Sequence, residues 1–365
     1  MKKILFLMQL PPPVHGASLV NQSILKSFLI NSEFATDYVD ISPSTENDSL
    51  GRVSFFKVIR TLEILLKCLF KYFRFSPSLV YLTLSPHGAA FWKDSIILQV
   101  LKIFGAKCII HLHGKGIDRE VRSSRFKMFV YKKVFHGVDV IHLSKSLLDD
   151  VSVVLDPRSK TYIVNNGIHP SIVSKSNDDP VVRFLYLSNF IPTKGASVIV
   201  DALKYIDLKY SGRFTVSLAG KVTDKVYFDS MVASVSAEWK DSVFFHAAKY
   251  GEDKVNILVN SDVFVLPTYY KNECFPISIL EAMSFGLPVL STFEGAIPEI
   301  VADGENGFLF APTKPQQLAE LMTRYIDDVS LLKKHGVASS KRFSEKYTFE
   351  RFELSLINVF RNSLS

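Results

Sequence analysis

The chain has 365 residues, 47% apolar and 22% charged, a length that exceeds one ordinary hydrophobic core and points to two domains. Its three cysteines, Cys68, Cys108 and Cys274, lack C-x-x-C spacing, which argues against a disulfide framework and suggests a reducing cytosol. The net charge of +7 is compatible with nucleic acid, anionic lipid or phosphorylated substrates, but no RNA-binding, zinc-finger or helix-turn-helix pattern accompanies it, so nucleic acid is not expected as a partner.

The first eight residues imitate a signal peptide. Their apolar run is too short, however, and Pro11-Pro12-Pro13 replaces a small-residue cleavage site. They read as a first buried strand, followed by a turn in which Gly16 stands alone. Further strands are expected over 36–41, 78–84, 107–112, 138–143 and 160–164, with helical patterns between them. Such alternation implies a parallel sheet with helices on both faces. No uninterrupted apolar run is long enough to span a bilayer.

Residues 55–75 form one of the helical patterns. At about 100° per residue, Lys57, Arg60, Glu63, Lys67, Lys71 and Arg74 fall within roughly 120°. Phe55, Val58, Ile59, Leu62, Leu65, Leu66, Leu69, Phe70, Tyr72 and Phe73 occupy the rest. Two readings fit: a helix lying on an anionic membrane surface, or a core helix with a solvated basic edge. Arg119 to Lys133 adds a second basic region. Between the two, His111 and His113 end a strand on one face. They suit either a metal site lacking a third ligand of motif spacing or one buried and one exposed histidine. Gly114 and Gly116 have no third glycine in register, so a dinucleotide fingerprint is not supported.

Asn165-Asn166-Gly167-Ile168-His169-Pro170 breaks the alternation, and the polar stretch 174–180 reads as an interdomain linker. Strands resume near 183–188, 213–219, 243–246, 262–266, 288–291 and 307–310. After the first of these comes Ser188-Asn189-Phe190-Ile191-Pro192-Thr193-Lys194-Gly195. After the fourth comes Glu273-Cys274-Phe275-Pro276-Ile277-Ser278-Ile279-Leu280-Glu281. This segment reads as a loop entering a short helix, with Pro276 in the first turn and Gly286 and Pro288 at the far end. A helix N-terminus at a strand's carboxyl end attracts an anion. Glu273 and Glu281 would accept hydrogen bonds from hydroxyls on either side of it. One anion between two polyols describes a nucleotide sugar.

The stretch from Glu273 to Val289 resembles the signature of family 4 glycosyltransferases, retaining enzymes of the GT-B fold. The resemblance implies an α/β chain of two doubly wound Rossmann-like domains facing a central cleft. Residues 1–172 would bind the acceptor and face the membrane, 173–345 would bind the donor, and a helix in 346–365 would cross back. It implies His113, Lys194 and Glu273 as catalytic residues. Gly16, Asn189, Lys194, Phe275, Pro276, Ile277, Ser278 and Glu281 would contact the donor. Asn189 stands where relatives carry an arginine, leaving Lys194 as the cation for the diphosphate. No Asp-x-Asp tripeptide occurs, so neither metal nor cofactor is expected. The implied activity is a retaining hexosyl transfer from a nucleotide-diphosphate sugar, UDP- before GDP-, to a lipid-linked glycan. O-antigen or capsule synthesis is the implied setting, with the enzyme cytoplasmic and peripheral on the inner membrane. A sugar-nucleotide epimerase of the same architecture and a basic nucleic-acid-binding protein are the alternatives.

Overall fold

A computed structural model describes residues 1–12, 14, 16–42, 55–170 and 180–365, with side chains from residue 58 onward in the helix that begins at Phe55. The expected boundary at 172/173, the linker up to residue 179, and the side chains of Phe55 and Lys57 lie outside these residues. The chain forms two compact units, Met1–Gly167 with Phe349–Ser365, and Ile168–Thr348.

In the first unit, β1 (Lys3–Met8), β2 (Ala35–Asp40), β3 (Leu79–Leu84), β4 (Cys108–Leu112), β5 (Asp139–His142) and β6 (Thr161–Ile163) form one parallel sheet in the order β2-β1-β3-β4-β5-β6. Side-chain alternation assigns its two faces. Leu5, Leu7, Val80, Leu82, Cys108 and Ile110 pack with Ile64 and Cys68 of the Phe55–Phe75 helix, with Ile97 and Leu101 of Gly88–Ile103, and with Tyr131 and Val134 of Arg125–Phe135. The intervening residues Phe6 and Tyr81 turn the other way and meet Phe360 of the C-terminal helix Phe349–Leu364, at ring-centroid distances of 5.9 and 5.8 Å.

The Phe55–Phe75 helix has three sectors where two were expected. Ile64, Cys68, Leu65, Leu69, Tyr72 and Phe75 face the core. Val58, Ile59, Leu62, Leu66, Phe70 and Phe73 are exposed. The cations lie on the third side. Lys71 departs from the expectation of a water-facing stripe: its ammonium is bonded to Asp37 and sits 5.7 Å from the centre of the Tyr38 ring.

In the second unit, β7 (Val182–Leu187), β8 (Phe214–Ala219), β9 (Val243–His246), β10 (Val263–Leu266), β11 (Val289–Ser291) and β12 (Gly307–Leu309) form a second parallel sheet in the order β12-β11-β10-β7-β8-β9. The chain moves outward from β7 through β8 to β9, then returns to β10 on the other side of β7. Neighbouring β7 and β10 therefore feed connections that diverge, and a crevice opens at their carboxyl ends.

Candidate active site

The loops leaving β7 and β10 approach each other at that crevice. A short turn, Pro192–Lys194, ends at Gly195, whose φ is +84°. A Cβ at Gly195 would lie 2.1 Å from the Pro267 carbonyl oxygen, so only glycine permits this contact between backbones. The Tyr269 amide completes the junction by donating to the Thr193 carbonyl at 2.8 Å.

This junction sets Lys194 against Glu273. The Lys194 ammonium donates to Glu273 Oε2 at 2.7 Å and lies 4.9 Å from the centre of the Tyr270 ring. Thr268 Oγ1 donates to the same carboxylate oxygen at 3.1 Å. Glu273 is buried and Lys194 half-buried, a setting in which an unpaired charge is costly. Gly295 holds the loop from behind. A Cβ there would come 2.4 Å from the Glu273 carbonyl oxygen, while the neighbouring Ala296 amide donates to Cys274 at 2.8 Å.

The following helix runs from Ile277 to Ser284. Pro276 is its N-cap, with extended backbone, and not a first-turn residue as the sequence suggested. Its carbonyl already accepts from Ile279 at 3.2 Å. No side chain caps this end, which opens from the loop that leaves β10, and uncapped helix amides suit an anion. At the far end, bonds from Gly286 to Met283 and from Leu287 to Ala282, at 3.0 and 3.1 Å, close the helix around a left-handed Gly286. Ile279, Leu280, Ala282 and Met283 are buried, leaving Ile277, Ser278 and Glu281 on the half-exposed side.

Glu281 also has a lysine partner. Lys254, from the Gly251–Val259 helix that follows β9, places its ammonium 2.5 Å from Glu281 Oε1. The sequence reading did not single out Lys254, an isolated residue in no motif. Thr268 and Tyr270 were missed for the same reason. The two glutamates are thus held by two lysines, and each pair is charge-balanced. The other expected donor residues are placed less directly. Phe275 is buried with its ring 5.9 Å from that of Tyr347, so its side chain is a packing element. The Asn189 side chain is exposed, while its carbonyl accepts from Tyr186 Oη at 3.1 Å.

Two expected residues belong to the first unit. Exposed Gly16 opens the Gly16–Lys26 helix, beyond the carboxyl end of β1. His113 follows β4, half-buried, with its ring centre 4.0 Å from that of His111. His111 is fully buried and bonded through Nδ1 to Tyr81 Oη at 2.6 Å. Burial, then the neighbouring His113 and His142, hold the His111 pKa well below the usual histidine range. Among the described residues, no group of three or more His, Cys, Asp or Glu side chains is arranged to hold a metal ion.

Residues 171–342 match the family described as glycosyl transferases group 1. An uncharacterized glycosyltransferase of Methanocaldococcus jannaschii is 24% identical over 69% of this chain and 67% of its own length. The amylovoran biosynthesis glycosyltransferase AmsK of Erwinia amylovora is 24% identical over 62% of this chain; the alignment covers 57% of AmsK, so the chain spans little more than half of that protein. The Anabaena protein HepE, solved in complex with UDP, superposes with a TM-score of 0.77 at 17% identity, covering 99% of this chain and 100% of HepE. The likeness to HepE establishes the GT-B-type fold of two Rossmann-like domains. The domain match and the relatives' names make the chain a glycosyltransferase, an enzyme of the transferase class.

Proposed function

We propose that the chain is a retaining, metal-independent glycosyltransferase. It moves a sugar from a nucleotide diphosphate, with UDP first among candidates, to a hydroxyl of a lipid-linked glycan in polysaccharide synthesis. The observation that carries this reading is the paired arrangement Lys194–Glu273 and Lys254–Glu281 on either side of the uncapped helix N-terminus at Ile277. The helix amides and Lys194 would take the diphosphate. Glu281 would accept from the ribose, and Glu273 from the transferred sugar. With fixed donors around the leaving group, electrostatic stabilisation would carry much of the catalysis. The incoming hydroxyl would attack on the face from which the diphosphate leaves and pass its proton to it. UDP in HepE and amylovoran synthesis by AmsK support the choice of donor and setting.

The lipid setting is supported by the first unit. Among the described residues no helix is long and apolar enough to cross a membrane. The exposed sector of Phe55–Phe75 nevertheless presents Leu66, Phe70 and Phe73 beside Lys67 and Arg74. Phe73 continues onto exposed Phe104, with ring centres 5.1 Å apart. An apolar surface edged by cations suits an anionic bilayer, and would place the enzyme peripherally on the inner membrane. The test of the enzymatic reading is a thermal-shift screen against UDP-, GDP- and ADP-sugars, followed by transfer to a lipid-linked acceptor with the anomeric configuration read by NMR. Stabilisation by a nucleotide sugar and a retained anomer are expected. A stable, folded protein that responds to none of them would overturn the reading.

A further inference from the structure

His113-Gly114-Lys115-Gly116 joins β4 to the helix Ile117–Arg122. The loops that follow β3 and β5 both hold its backbone. After β3, Pro86 presses on Gly114: a Cβ at Gly114 would lie 2.8 Å from Pro86 Cγ. Pro86 is itself tied down, since its carbonyl accepts from Tyr131 Oη at 2.8 Å. After β5, the Asp150 carboxylate takes three consecutive amides. Asp150 Oδ2 accepts from Gly116 at 2.8 Å and from Ile117 at 3.0 Å, and Oδ1 accepts from Asp118 at 3.4 Å. Gly116, with a φ of +126°, has no side chain to cap the helix it precedes. The carboxylate supplies from another segment what the local sequence lacks. Asp150 ends the turn Lys145–Asp150, which is pinned by buried Leu147 and by the Ser144 hydroxyl, an acceptor for the Ser146 amide at 3.2 Å.

We propose that Asp150 is a positioning residue of the transfer reaction, fixing the backbone on which His113 sits. The inference rests on the glycosyltransferase reading, in which His113 is catalytic, and adds what holds that side chain in place. An imidazole hangs from two rotatable bonds, so the place of the ring follows the place of the backbone. Bonds from amides to a carboxylate are stronger than those between neutral groups, and here they converge on the amides that begin three positions after His113. The ring itself rests 4.0 Å from that of buried His111, centre to centre. A carboxylate that only capped the Ile117–Arg122 helix would affect stability alone. One that places His113 must affect turnover through His113, and the two roles separate in a double-mutant cycle.

The test uses the full chain and the nucleotide sugar that stabilises it most among the UDP-, GDP- and ADP-sugars. Turnover is read as release of the nucleoside diphosphate. Asp150→Ala should lower kcat by about tenfold to a hundredfold, the scale on which a misplacement of about 1 Å acts. Affinity for the nucleoside diphosphate alone, read by calorimetry, should not change. Asp150→Asn keeps one acceptor oxygen and should recover part of the loss. Asp149→Asn, at the exposed neighbouring position, should turn over like wild type. In a His113→Ala background, Asp150→Ala should cost less than about twofold, because the ring it places is gone. Equal costs in the two backgrounds would overturn the proposal, and so would wild-type turnover by His113→Ala. If Asp150→Ala does not fold, Asp150→Asn takes its place in the cycle. Hydrogen exchange at Gly116 and Ile117 needs no turnover. It should quicken in both Asp150 variants and stay slow in Asp149→Asn, and unchanged exchange in the Asp150 variants would overturn the anchoring. A chain whose exchange responds but which turns over no nucleotide sugar loses the functional reading, and the role of Asp150 falls with it. A chain that turns over and shows equal costs loses this inference alone.

Discussion

Lys194 Nζ lies 2.7 Å from Glu273 Oε2 although 79 positions separate the two residues. The pair exists because β7 and β10 are neighbours and Gly195 lets their loops touch. Lys194 therefore does not present a full positive charge to an incoming diphosphate. It shares that charge with a buried carboxylate. Lys194→Ala removes a charge-assisted hydrogen bond worth about 1.5–3 kcal/mol, so nucleotide affinity or turnover should fall by about 10- to 150-fold. Glu273→Gln in the same background should add less than it does alone, with a coupling of at least about 0.5 kcal/mol. Initial rates of transfer across the four proteins give the cycle. Strict additivity would show that the pair is not maintained when donor is bound.

The second pair separates the two glutamates by task. Glu281→Ala should weaken UDP itself, whereas Glu273→Ala should leave UDP binding nearly intact and depress transfer. Lys254 orients Glu281 through the 2.5 Å contact. Lys254→Met should thus reduce the preference for UDP over its 2′,3′-dideoxy analogue, and Lys254→Arg should restore part of it. Equal losses of UDP affinity in the two glutamate variants would contradict the division.

Most strands among the described residues were legible because they are short apolar runs bounded by turn residues, and buried parallel strands are written that way; β2 and β6, at the sheet's edges, are more polar and partly exposed. The crevice was legible through the spacing of Glu273 and Glu281 around one helix start. Lys254 was not, since it lies 27 positions before Glu281 on a separate helix and only the fold unites them. The Phe55–Phe75 helix shows another limit. Its periodicity revealed a basic stripe, but could not tell which apolar residues would be covered. Leu65 and Leu66 are adjacent in sequence, yet one packs on the core and the other is exposed. His111 and His113 shared a face as expected, but the complete burial of His111 depended on Tyr81 and Phe352 from distant segments.

Transfer should survive EDTA. Lys194 and the helix amides at Ile277 would supply the positive field that a metal would otherwise bring to the diphosphate. Loss of activity in EDTA, restored by Mg²⁺ or Mn²⁺, would overturn this substitution of protein groups for a cation.

Acid should destabilise the first unit through its buried histidines. Burial lowers the His142 pKa from 6.5 to about 4. The neutral ring is favoured in the fold, so the stabilisation is complete above the unfolded value and is lost as pH falls from 6.5 toward 4. The loss is on the order of 3 kcal/mol. Burial lowers His111 as well. Denaturant midpoints measured between pH 7 and pH 4 should fall, and His142→Gln should fall less steeply. An identical slope in the variant would remove His142 from the account.

The exposed sector of Phe55–Phe75 supplies the last test. Exposed Lys67 and Arg74, with Arg125, Lys132 and Lys133 in the same helix layer, offer about 1 kcal/mol each near an anionic surface, several kcal/mol before ordering costs. Wild-type protein should float with phosphatidylglycerol vesicles at low salt and detach as salt rises. Lys67→Glu combined with Arg74→Glu should weaken flotation, and Phe70→Ser with Phe73→Ser should weaken it at every salt concentration. Lys71 is a poor choice for charge reversal, because a glutamate there would stand beside Asp37 and destabilise the fold. The chosen positions are exposed, so thermal melting should be nearly unchanged. Equal flotation of the charge-reversed and apolar-to-serine variants with wild type would remove this helix from membrane contact. Absence of wild-type flotation at low salt would remove the bilayer from the reading altogether, and the acceptor would then have to be presented from solution.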